Sequence, residues 1–288
     1  MQKILVTGAN GQLGQCLQKI SDTYSQYKFL FADSELLNLT DRETIEQVFD
    51  DFSPNFCINA AAYTAVDLAE DQPEKAFAVN AEGVEVLAEI CKNHHTTLIH
   101  VSTDYVFDGN SNIPYAEDDF TSPNGVYGDS KLKGEIWALE QNPISIIIRT
   151  SWLYSEFGKN FVKTMLHLFK EKDQLQIVND QFGQPTNAND LAETIMNIIQ
   201  SERKTYGIFH FSNEGETTWF EFAKRIAELS HSKIRLSPIT TLEFPTKAIR
   251  PKRSTMCLDK IGASYGIETT HWEHSLEDCL QTLHNTQS

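Results

Sequence analysis

The first twenty residues constrain the fold more than any other part of the chain. Residues 3–7 are a short apolar run, which is typical of a buried parallel strand. They lead into Gly8-x-x-Gly11-x-x-Gly14, and apolar residues then recur at helical spacing over residues 13–20. The order strand, glycine turn, helix lets a backbone approach a pyrophosphate closely and offers it the free N–H groups of a helix N-terminus. The spacing differs from the standard Gly-x-Gly-x-x-Gly, and a plain glycine turn is the alternative.

Strand and helix patterns alternate up to about residue 150. The pattern predicts strands at residues 27–32, 55–62, 97–102 and 145–150, a helix over 73–92, and a helix carrying residues 127–137. Such alternation predicts an α/β fold, a doubly wound parallel sheet of Rossmann type with right-handed crossovers. We therefore expect an NAD(P)-binding Rossmann domain at residues 1–150.

The alternation loosens beyond residue 150. Helical patterns cover residues 161–170, 190–200 and 218–229, a short strand pattern covers 208–211, and prolines interrupt the segment that follows. We expect residues 151–288 to form mainly a smaller C-terminal substrate-binding lid, with some segments returning to the sheet.

Composition excludes several classes of function. The 288 residues are 40% hydrophobic and carry a formal net charge of −16, which argues against nucleic acid or an anionic membrane as the main partner. No apolar run is long enough to cross a bilayer, and the chain begins directly in a strand pattern, so no signal peptide is expected. The five cysteines lack metal-ligand spacing, which indicates free thiols in a reducing cytoplasm.

Tyr127 and Lys131 are the candidate catalytic pair. They stand four residues apart in a helical pattern, so both side chains lie on one face. An ammonium there would lower the pKa of the phenol from its ordinary value of about 10 and make it a proton donor or acceptor near neutral pH. A lone pair at this spacing is more often an ordinary helix surface.

Other candidates follow the predicted strands, where parallel α/β sheets bind ligands. Thr103 could hydrogen-bond a substrate carbonyl beside Tyr127, or could cap the end of its strand. Trp152 could stack on a flat ring, or could belong to the core. Asp33 could accept hydrogen bonds from ribose hydroxyls and repel a 2′-phosphate, which favours NADH, or could be a solvated loop acid. Asn80 faces the same region and could be structural.

These segments together resemble the extended short-chain dehydrogenase/reductases, and within them the dTDP-4-dehydrorhamnose reductases. The motifs that carry the resemblance are Gly8-x-x-Gly11-x-x-Gly14, Asn59-Ala60-Ala61-Ala62, Ser102-Thr103-Asp104-Tyr105-Val106-Phe107-Asp108-Gly109, Tyr127-Gly128-x-Ser130-Lys131, Arg149-Thr150-Ser151-Trp152 and Arg250-Pro251. The resemblance covers nearly the whole chain.

The resemblance implies reduction of the C4 ketone of dTDP-4-dehydro-L-rhamnose by NADPH or NADH. It implies that Tyr127 donates the proton, that Lys131 tunes it and holds the nicotinamide ribose, and that Thr103 contacts the carbonyl. The implied cofactor contacts are Gly8, Asn10, Gly11, Gln12, Leu13, Asp33, Asn38, Leu39, Ala61, Ala62, Tyr63, Ser102, Tyr127 and Lys131. The implied substrate contacts are Thr103, Asp104, Trp152 and Arg250.

Two positions depart from the family's commonest pattern. Tyr63 stands where histidine is frequent, and Gln15 stands where some members have a glutamate that binds a dimer-bridging magnesium. We therefore expect no metal and favour a monomer over a homodimer. The alternatives are a sister reductase or epimerase acting on another nucleotide sugar, and a non-catalytic NAD(P)-binding subunit like the regulatory subunit of methionine adenosyltransferase. The intact Thr–Tyr–Lys set disfavours the second alternative.

Overall fold

The computed structural model describes residues 1–287. Its strands are β1 Gln2–Thr7, β2 Tyr27–Ala32, β3 Phe56–Asn59, β4 Thr97–Thr103, β5 Ile146–Thr150, β6 Leu153–Tyr154, β7 Gln174–Val178, β8 Phe182–Gly183, β9 Thr186–Asn187, β10 Gly207–His210, β11 Thr217–Thr218 and β12 Arg235–Ile239. Its α-helices are α1 Gln12–Ser21, α2 Arg42–Phe52, α3 Val66–Ala69, α4 Pro73–Phe77, α5 Gly83–Asn93, α6 Val126–Gln141, α7 Phe161–Glu171, α8 Ala188–Gln200, α9 Trp219–Leu229, α10 Asp259–Tyr265 and α11 Trp272–Gln287.

A six-stranded sheet forms the centre of the molecule, in the order β10-β5-β4-β3-β1-β2. Every neighbouring pair in it is parallel. This confirms the predicted α/β fold with a doubly wound parallel sheet. One edge strand, β10, comes from the C-terminal half and pairs with β5, so the sheet draws on both halves of the chain.

Both faces of the sheet are buried, which explains the continuous apolar character of its strands. On β1, Ile4 and Val6 point to one face and pack with residues of α1 and α8. Leu5 points to the other face and packs with residues of α2 and α5. Successive side chains of a strand alternate between faces, so one short strand contributes to two hydrophobic clusters.

Side-chain caps begin several of the helices. The carboxylate of Asp41 accepts from the N–H of Glu43 at the start of α2, and the hydroxyl of Thr218 accepts from the N–H of Glu221 at the start of α9. Each cap satisfies a backbone N–H that has no partner within the helix. The predicted helices over 161–170, 190–200 and 218–229 correspond to α7, α8 and α9.

The helix predicted over residues 73–92 is present, but it is not a regular α-helix throughout. The segment consists of α4, a wider π-helical turn at Ala78–Glu82, and α5. The turn presses the backbone of Asn80 against α6, where a Cβ on Gly134 would lie 2.0 Å from the Asn80 carbonyl oxygen. Apolar periodicity survives such a turn, which is why the pattern reads as one helix.

The C-terminal part has a core of its own. Residues of α7, α9 and α11 pack around Phe222 and Trp272, and β7 pairs with β12 beside them. In the part of the chain that the structure describes, no helix combines the length and apolar character needed to cross a membrane.

Candidate active site

A cleft opens beyond the carboxyl ends of the central strands, as open parallel sheets predict. Ten residues predicted from the sequence line it: Gly11, Gln12, Leu13, Ala62, Ser102, Thr103, Asp104, Tyr127, Lys131 and Trp152. The lining also includes residues that the sequence did not single out, among them Tyr105, Lys159 and Trp219. The structure therefore brings the glycine loop, the Thr–Tyr–Lys set and the start of the C-terminal part to one place.

The glycine loop has the shape required to hold a pyrophosphate. Gly8 has a φ of +67°, and a Cβ there would lie 2.7 Å from the backbone nitrogen of Ala61. A Cβ on Gly14 would lie 2.4 Å from the oxygen of Gly8, so these two glycines pack the loop. Gly11 is the N-cap of α1 and no side chain caps that helix, which leaves its first N–H groups available to an anion. These residues fit a dinucleotide.

Gln12 connects the glycine loop to the C-terminal part. Its Nε2 donates to the oxygen of Leu153 at 3.3 Å, and its Oε1 accepts from Ser155 Oγ at 3.1 Å and Asn160 Nδ2 at 2.8 Å. The side chain is thus occupied by protein contacts. Its predicted contact to the pyrophosphate would have to come from the backbone N–H at the first turn of α1.

Asp33 lies at the carboxyl end of β2, beside the glycine loop. One carboxylate oxygen accepts from the N–H groups of Glu35 and Leu36, and the other accepts from Asn10 Nδ2 at 3.2 Å. These hydrogen bonds lower the pKa of Asp33, with the backbone of Leu36 the largest cause. The carboxylate is therefore charged and partly exposed near the position predicted for a ribose.

Asn38 and Leu39, two of the expected cofactor contacts, occupy different environments. The Asn38 side-chain oxygen accepts from the N–H and hydroxyl of Thr40, which closes a turn before α2. Leu39 is buried in the core beneath α2 and α5. Their contact with a cofactor stays a prediction.

Asn80 holds the loop that follows β3. Its Oδ1 accepts from the N–H of Tyr63 at 2.8 Å, and its Nδ2 donates to the oxygen of Tyr63 and to Ser130 Oγ, both at 3.0 Å. The side chain is buried. It therefore ties residues 61–63 to α6, the helix that carries the catalytic pair, and its role is positional.

Tyr127 and Lys131 lie on the first two turns of α6, facing β4. Burial raises the pKa of Tyr127 to about 12, although a hydrogen bond with Thr103 opposes the shift. The amine of Lys131 donates to the oxygen of Val101 at 2.7 Å and lies 3.2 Å from His100 Nε2. Burial is the largest cause of the shift in the phenol's pKa, and the expectation that Lys131 lowers that pKa stays a prediction.

Two close contacts fix α6 against the sheet. A Cβ on Gly128 would lie 2.2 Å from the oxygen of Tyr105, so glycine lets the helix touch the turn that follows β4. Deeper in the core, Arg149 of β5 forms a bidentate ion pair with Glu135, with Nη2 2.7 Å from Oε2. Both side chains are at most 2% exposed. These contacts place Tyr127 over the end of β4.

Asp104 and Ser102 bring unsatisfied polar atoms to the cleft. The Oδ2 of Asp104 and the hydroxyl of Ser102 are buried and have no hydrogen-bond partner. Burial raises the pKa of Asp104 to about 6, and hydrogen bonds with Ser254 and Thr103 oppose that rise. Buried polar atoms without partners are rare in folded proteins, so these two fit a site that receives a polar ligand.

Trp152 lies against a second tryptophan that sequence reasoning missed. Its ring stacks on Trp219 with centroids 3.5 Å apart and planes 9° from parallel. Trp152 has a φ of +46°, and a Cβ on Gly183 would lie 2.7 Å from its ring. Glycine thus makes room for the flat ring. The only sequence signal for Trp219 was its place at the start of an aromatic-rich helix.

Arg250 is not a solvated arginine. Its Nη1 and Nη2 lie 2.8 and 2.6 Å from the two carboxylate oxygens of Asp67, and its side chain is 21% exposed. The guanidinium lowers the pKa of Asp67 chiefly through these hydrogen bonds. Among the described residues, the set that lines the cleft does not include Arg250, so its contact with substrate stays a prediction.

The predicted absence of a metal also stays a prediction. Across residues 1–287, no group of three or more histidine, cysteine or acidic side chains is placed to hold an ion. Gln15, at the position linked to a bridging magnesium, donates to the oxygen of Asn10 at 2.9 Å.

The chain is similar to known proteins along almost its whole length. The family model described as the RmlD substrate binding domain matches residues 1–285. The dTDP-4-dehydrorhamnose reductase of Aggregatibacter actinomycetemcomitans is 42% identical over 96% of this chain and 98% of that protein. Solved dTDP-4-dehydrorhamnose reductases from Clostridium acetobutylicum and, in complex with NADP, Bacillus anthracis are 39% and 37% identical. Each has a TM-score of 0.95 and covers 98% of this chain and 100% of that one.

Proposed function

The chain belongs to the family of the RmlD substrate binding domain, and from that membership we propose that it reduces the C4 ketone of dTDP-4-dehydro-L-rhamnose with NADPH or NADH, giving dTDP-L-rhamnose. The observation that carries the proposal is the convergence of Thr103, Tyr127 and Lys131 beside the glycine loop in one cleft. Relatives about 40% identical over their whole length bear the name of this reductase.

Tyr127 is the proton donor in this proposal. Because burial raises its pKa to about 12, the phenol keeps its proton at neutral pH, which is the form that a reduction requires. NAD(P)H, when bound, supplies the hydride that adds to C4. Tyr127 gives its proton to O4, and Thr103, which shares a hydrogen bond with that phenol, aligns the carbonyl for both transfers.

The rest of the cleft suits a nucleotide sugar. The stacked Trp152 and Trp219 offer a flat apolar wall, and the buried Asp104 offers a hydrogen-bond acceptor to sugar hydroxyls. Lys159 lines the same cleft, and it is a second candidate, besides Arg250, for a phosphate contact. A local cation such as Lys159 can attract a phosphate even though the chain's net charge is −16.

Solution state and compartment are part of the same proposal. The described cysteines are all free thiols, which fits a cytoplasmic enzyme. A monomer is favoured over a homodimer, because Gln15 is neutral and a hard dication such as magnesium prefers charged oxygens. Light scattering with and without EDTA tests the oligomeric state and its dependence on a metal.

A sister reductase or epimerase acting on another dTDP- or UDP-sugar is the rival within enzymes, and a non-catalytic NAD(P)-binding subunit is the rival outside them. The decisive assay follows the absorbance of NADPH or NADH when purified protein meets dTDP-4-dehydro-L-rhamnose. Oxidation of the cofactor only with a different nucleotide sugar would support the first rival. Cofactor binding without turnover of any sugar would support the second.

Tyr127→Phe tests the mechanism itself. It should keep cofactor binding and lower turnover by about 10²–10⁴-fold, the usual contribution of a general acid. Tyr24→Phe removes a phenol oxygen outside the cleft and is the matched control. Turnover near that of the control would remove Tyr127 from the proton-donor role.

A further inference from the structure

A buried chain of polar side chains runs behind Lys131, away from the cleft. Thr7 Oγ1 lies 2.7 Å from Asn59 Oδ1, Asn59 Nδ2 lies 3.0 Å from His100 Nδ1, and His100 Nε2 lies 3.2 Å from Lys131 Nζ. The first three residues are register partners on the adjacent strands β1, β3 and β4. All four are at most 2% exposed. The chain therefore crosses the sheet and ends on the catalytic amine.

The direction of these hydrogen bonds is fixed by one backbone group. The N–H of Ala61 can only donate, and it lies 3.2 Å from Asn59 Oδ1. The amide of Asn59 therefore turns its oxygen to Ala61 and its Nδ2 to His100. Because that NH₂ group can only donate, His100 Nδ1 accepts and carries no proton.

The protonation of Lys131 follows from that tautomer. A neutral imidazole carries one proton, so the proton of His100 is on Nε2 and points at Lys131 Nζ. Nζ can accept it only through a lone pair, which an ammonium lacks and a neutral amine has. The same nitrogen donates to the Val101 oxygen at 2.7 Å. With His100 in this tautomer, the contact between Nε2 and Nζ is a hydrogen bond only when Lys131 is a neutral amine.

Burial and a neighbouring charge act in opposite directions on the protonation of Lys131, and its neutral form becomes the major one above about pH 8. Burial lowers the pKa of Lys131 to about 8, and the charge of Glu135 on the same helix opposes the shift. Glu135 in turn forms an ion pair with Arg149. Burial, and then the neighbouring Lys131, hold the pKa of His100 well below its usual value. The other titratable side chains lining the cleft around Lys131 are Asp104, Tyr105, Tyr127 and Lys159.

We propose that Asn59 locks His100 in the Nε2–H tautomer, that this N–H favours the neutral amine of Lys131 in the free protein at mildly alkaline pH, and that binding of NAD(P)H then draws up to one proton from solvent onto Lys131. On gaining a proton the amine becomes an ammonium and loses the hydrogen bond from His100. It then carries a positive charge and a further N–H that it can donate within the cleft. His100 is a positioning residue for Lys131. The inference rests on the proposed function only in taking NAD(P)H as the ligand.

Calorimetric titration with NADPH measures this proton directly, since the apparent heat depends on the ionisation enthalpy of the buffer in proportion to the protons taken up. With a pKa of about 8 in the free protein and an ordinary value near 10.4 in the complex, uptake should be about 0.5 proton at pH 8 and about 0.9 near pH 9. Absence of uptake across pH 7.5–9.5 would overturn the proposal.

His100→Gln isolates the role of the imidazole. A glutamine can turn its carbonyl oxygen to Nζ and accept from an ammonium, so the pKa of Lys131 in the free protein should rise. The loss of one hydrogen bond that favours the amine corresponds to about 0.5–1 pH unit, which should cut uptake at pH 8 to about a quarter of a proton or less. His210→Gln is the matched control, because His210 is equally buried but contacts Arg149 and Phe107. An unchanged profile in His100→Gln would overturn the role of His100.

A second measurement needs neither a variant nor a cofactor. In ¹⁵N-histidine-labelled protein, long-range ¹H–¹⁵N spectra distinguish the two neutral tautomers, and His100 should be the Nε2–H form. An Nδ1–H or doubly protonated ring would overturn the proposal. Proton uptake without reduction of the sugar nucleotide would contradict only the proposed function. Reduction without proton uptake would contradict only this inference.

Discussion

Replacing Arg149 with methionine should be among the most damaging single changes in the molecule. Arg149 and Glu135 lie between β5 and α6, with three guanidinium–carboxylate contacts of 2.7–3.1 Å. Without the guanidinium, the carboxylate of Glu135, which is 1% exposed, is left in the core without a countercharge. Removing one member of a buried ion pair typically lowers the free energy of unfolding by about 3–5 kcal/mol. The free energy of unfolding of a whole domain is only about 5–15 kcal/mol.

Removing both charges together should cost far less. The double variant Arg149→Met/Glu135→Leu buries no ion, and buried pairs replaced by apolar residues are often neutral or more stable by about 1–4 kcal/mol. The two single substitutions should therefore couple by about 3 kcal/mol or more in a double-mutant cycle. Such coupling, with a double variant about as stable as wild type, would mean that the two charges depend on each other and that the pair adds little net stability.

Urea denaturation followed by circular dichroism, on wild type, both single variants and the double variant, gives the four free energies of unfolding. Arg42→Met is the surface control, because Arg42 pairs with Glu46 and Glu89 while 44% exposed, and such pairs contribute less than about 1 kcal/mol. If Arg149→Met costs no more than Arg42→Met, the charge of Glu135 is not isolated from water and the reasoning is refuted.

Three other expected outcomes concern charged residues near the cleft. The folded pKa of Asp104, about 6, exceeds its unfolded value near 3.9, so the folded state binds the extra proton and the carboxylate costs stability at neutral pH. Asp104→Asn should therefore raise the free energy of unfolding by roughly 2–3 kcal/mol at pH 7, with the gain disappearing by about pH 3; a gain that is independent of pH in urea titrations would contradict this. Asp33→Ala should shift the ratio of kcat/KM values towards NADPH, and an unchanged ratio would show that Asp33 does not contact the ribose. Arg250→Ala should raise KM for the sugar nucleotide much more than KM for the cofactor, whereas equal values would limit Arg250 to its ion pair with Asp67.

Local patterns predicted the parts of the site that local structure determines. The glycine turn after β1 and the polar residues after β4 follow from strand and helix periodicity, and a parallel sheet brings strand ends to one edge. Thr103, Tyr127 and Lys131 accordingly share one cleft. The presence of the sheet and most helices follows from the same periodicity.

The features that the sequence did not reveal depend on partners distant in the chain. The direction of the Lys131 amine is set by His100 and Val101 on β4, and spacing within α6 carries no information about it. The wide turn at Asn80 keeps apolar periodicity, so only its contact with α6 distinguishes it from a continuous helix. Trp219 reaches the cleft through packing against Trp152, which joins two segments without any shared motif.

The place of β10 in the sheet has a consequence for biosynthesis. β5 is complete at residue 150, yet the strand that pairs with its outer edge lies at Gly207–His210. Until those residues leave the ribosome, β5 is an apolar edge strand whose outer backbone groups are unpaired. Such an edge is a template for intermolecular pairing. The first 150 residues released on their own would keep that edge exposed, so the boundary suggested by the sequence is not one at which translation could stop and leave a soluble product.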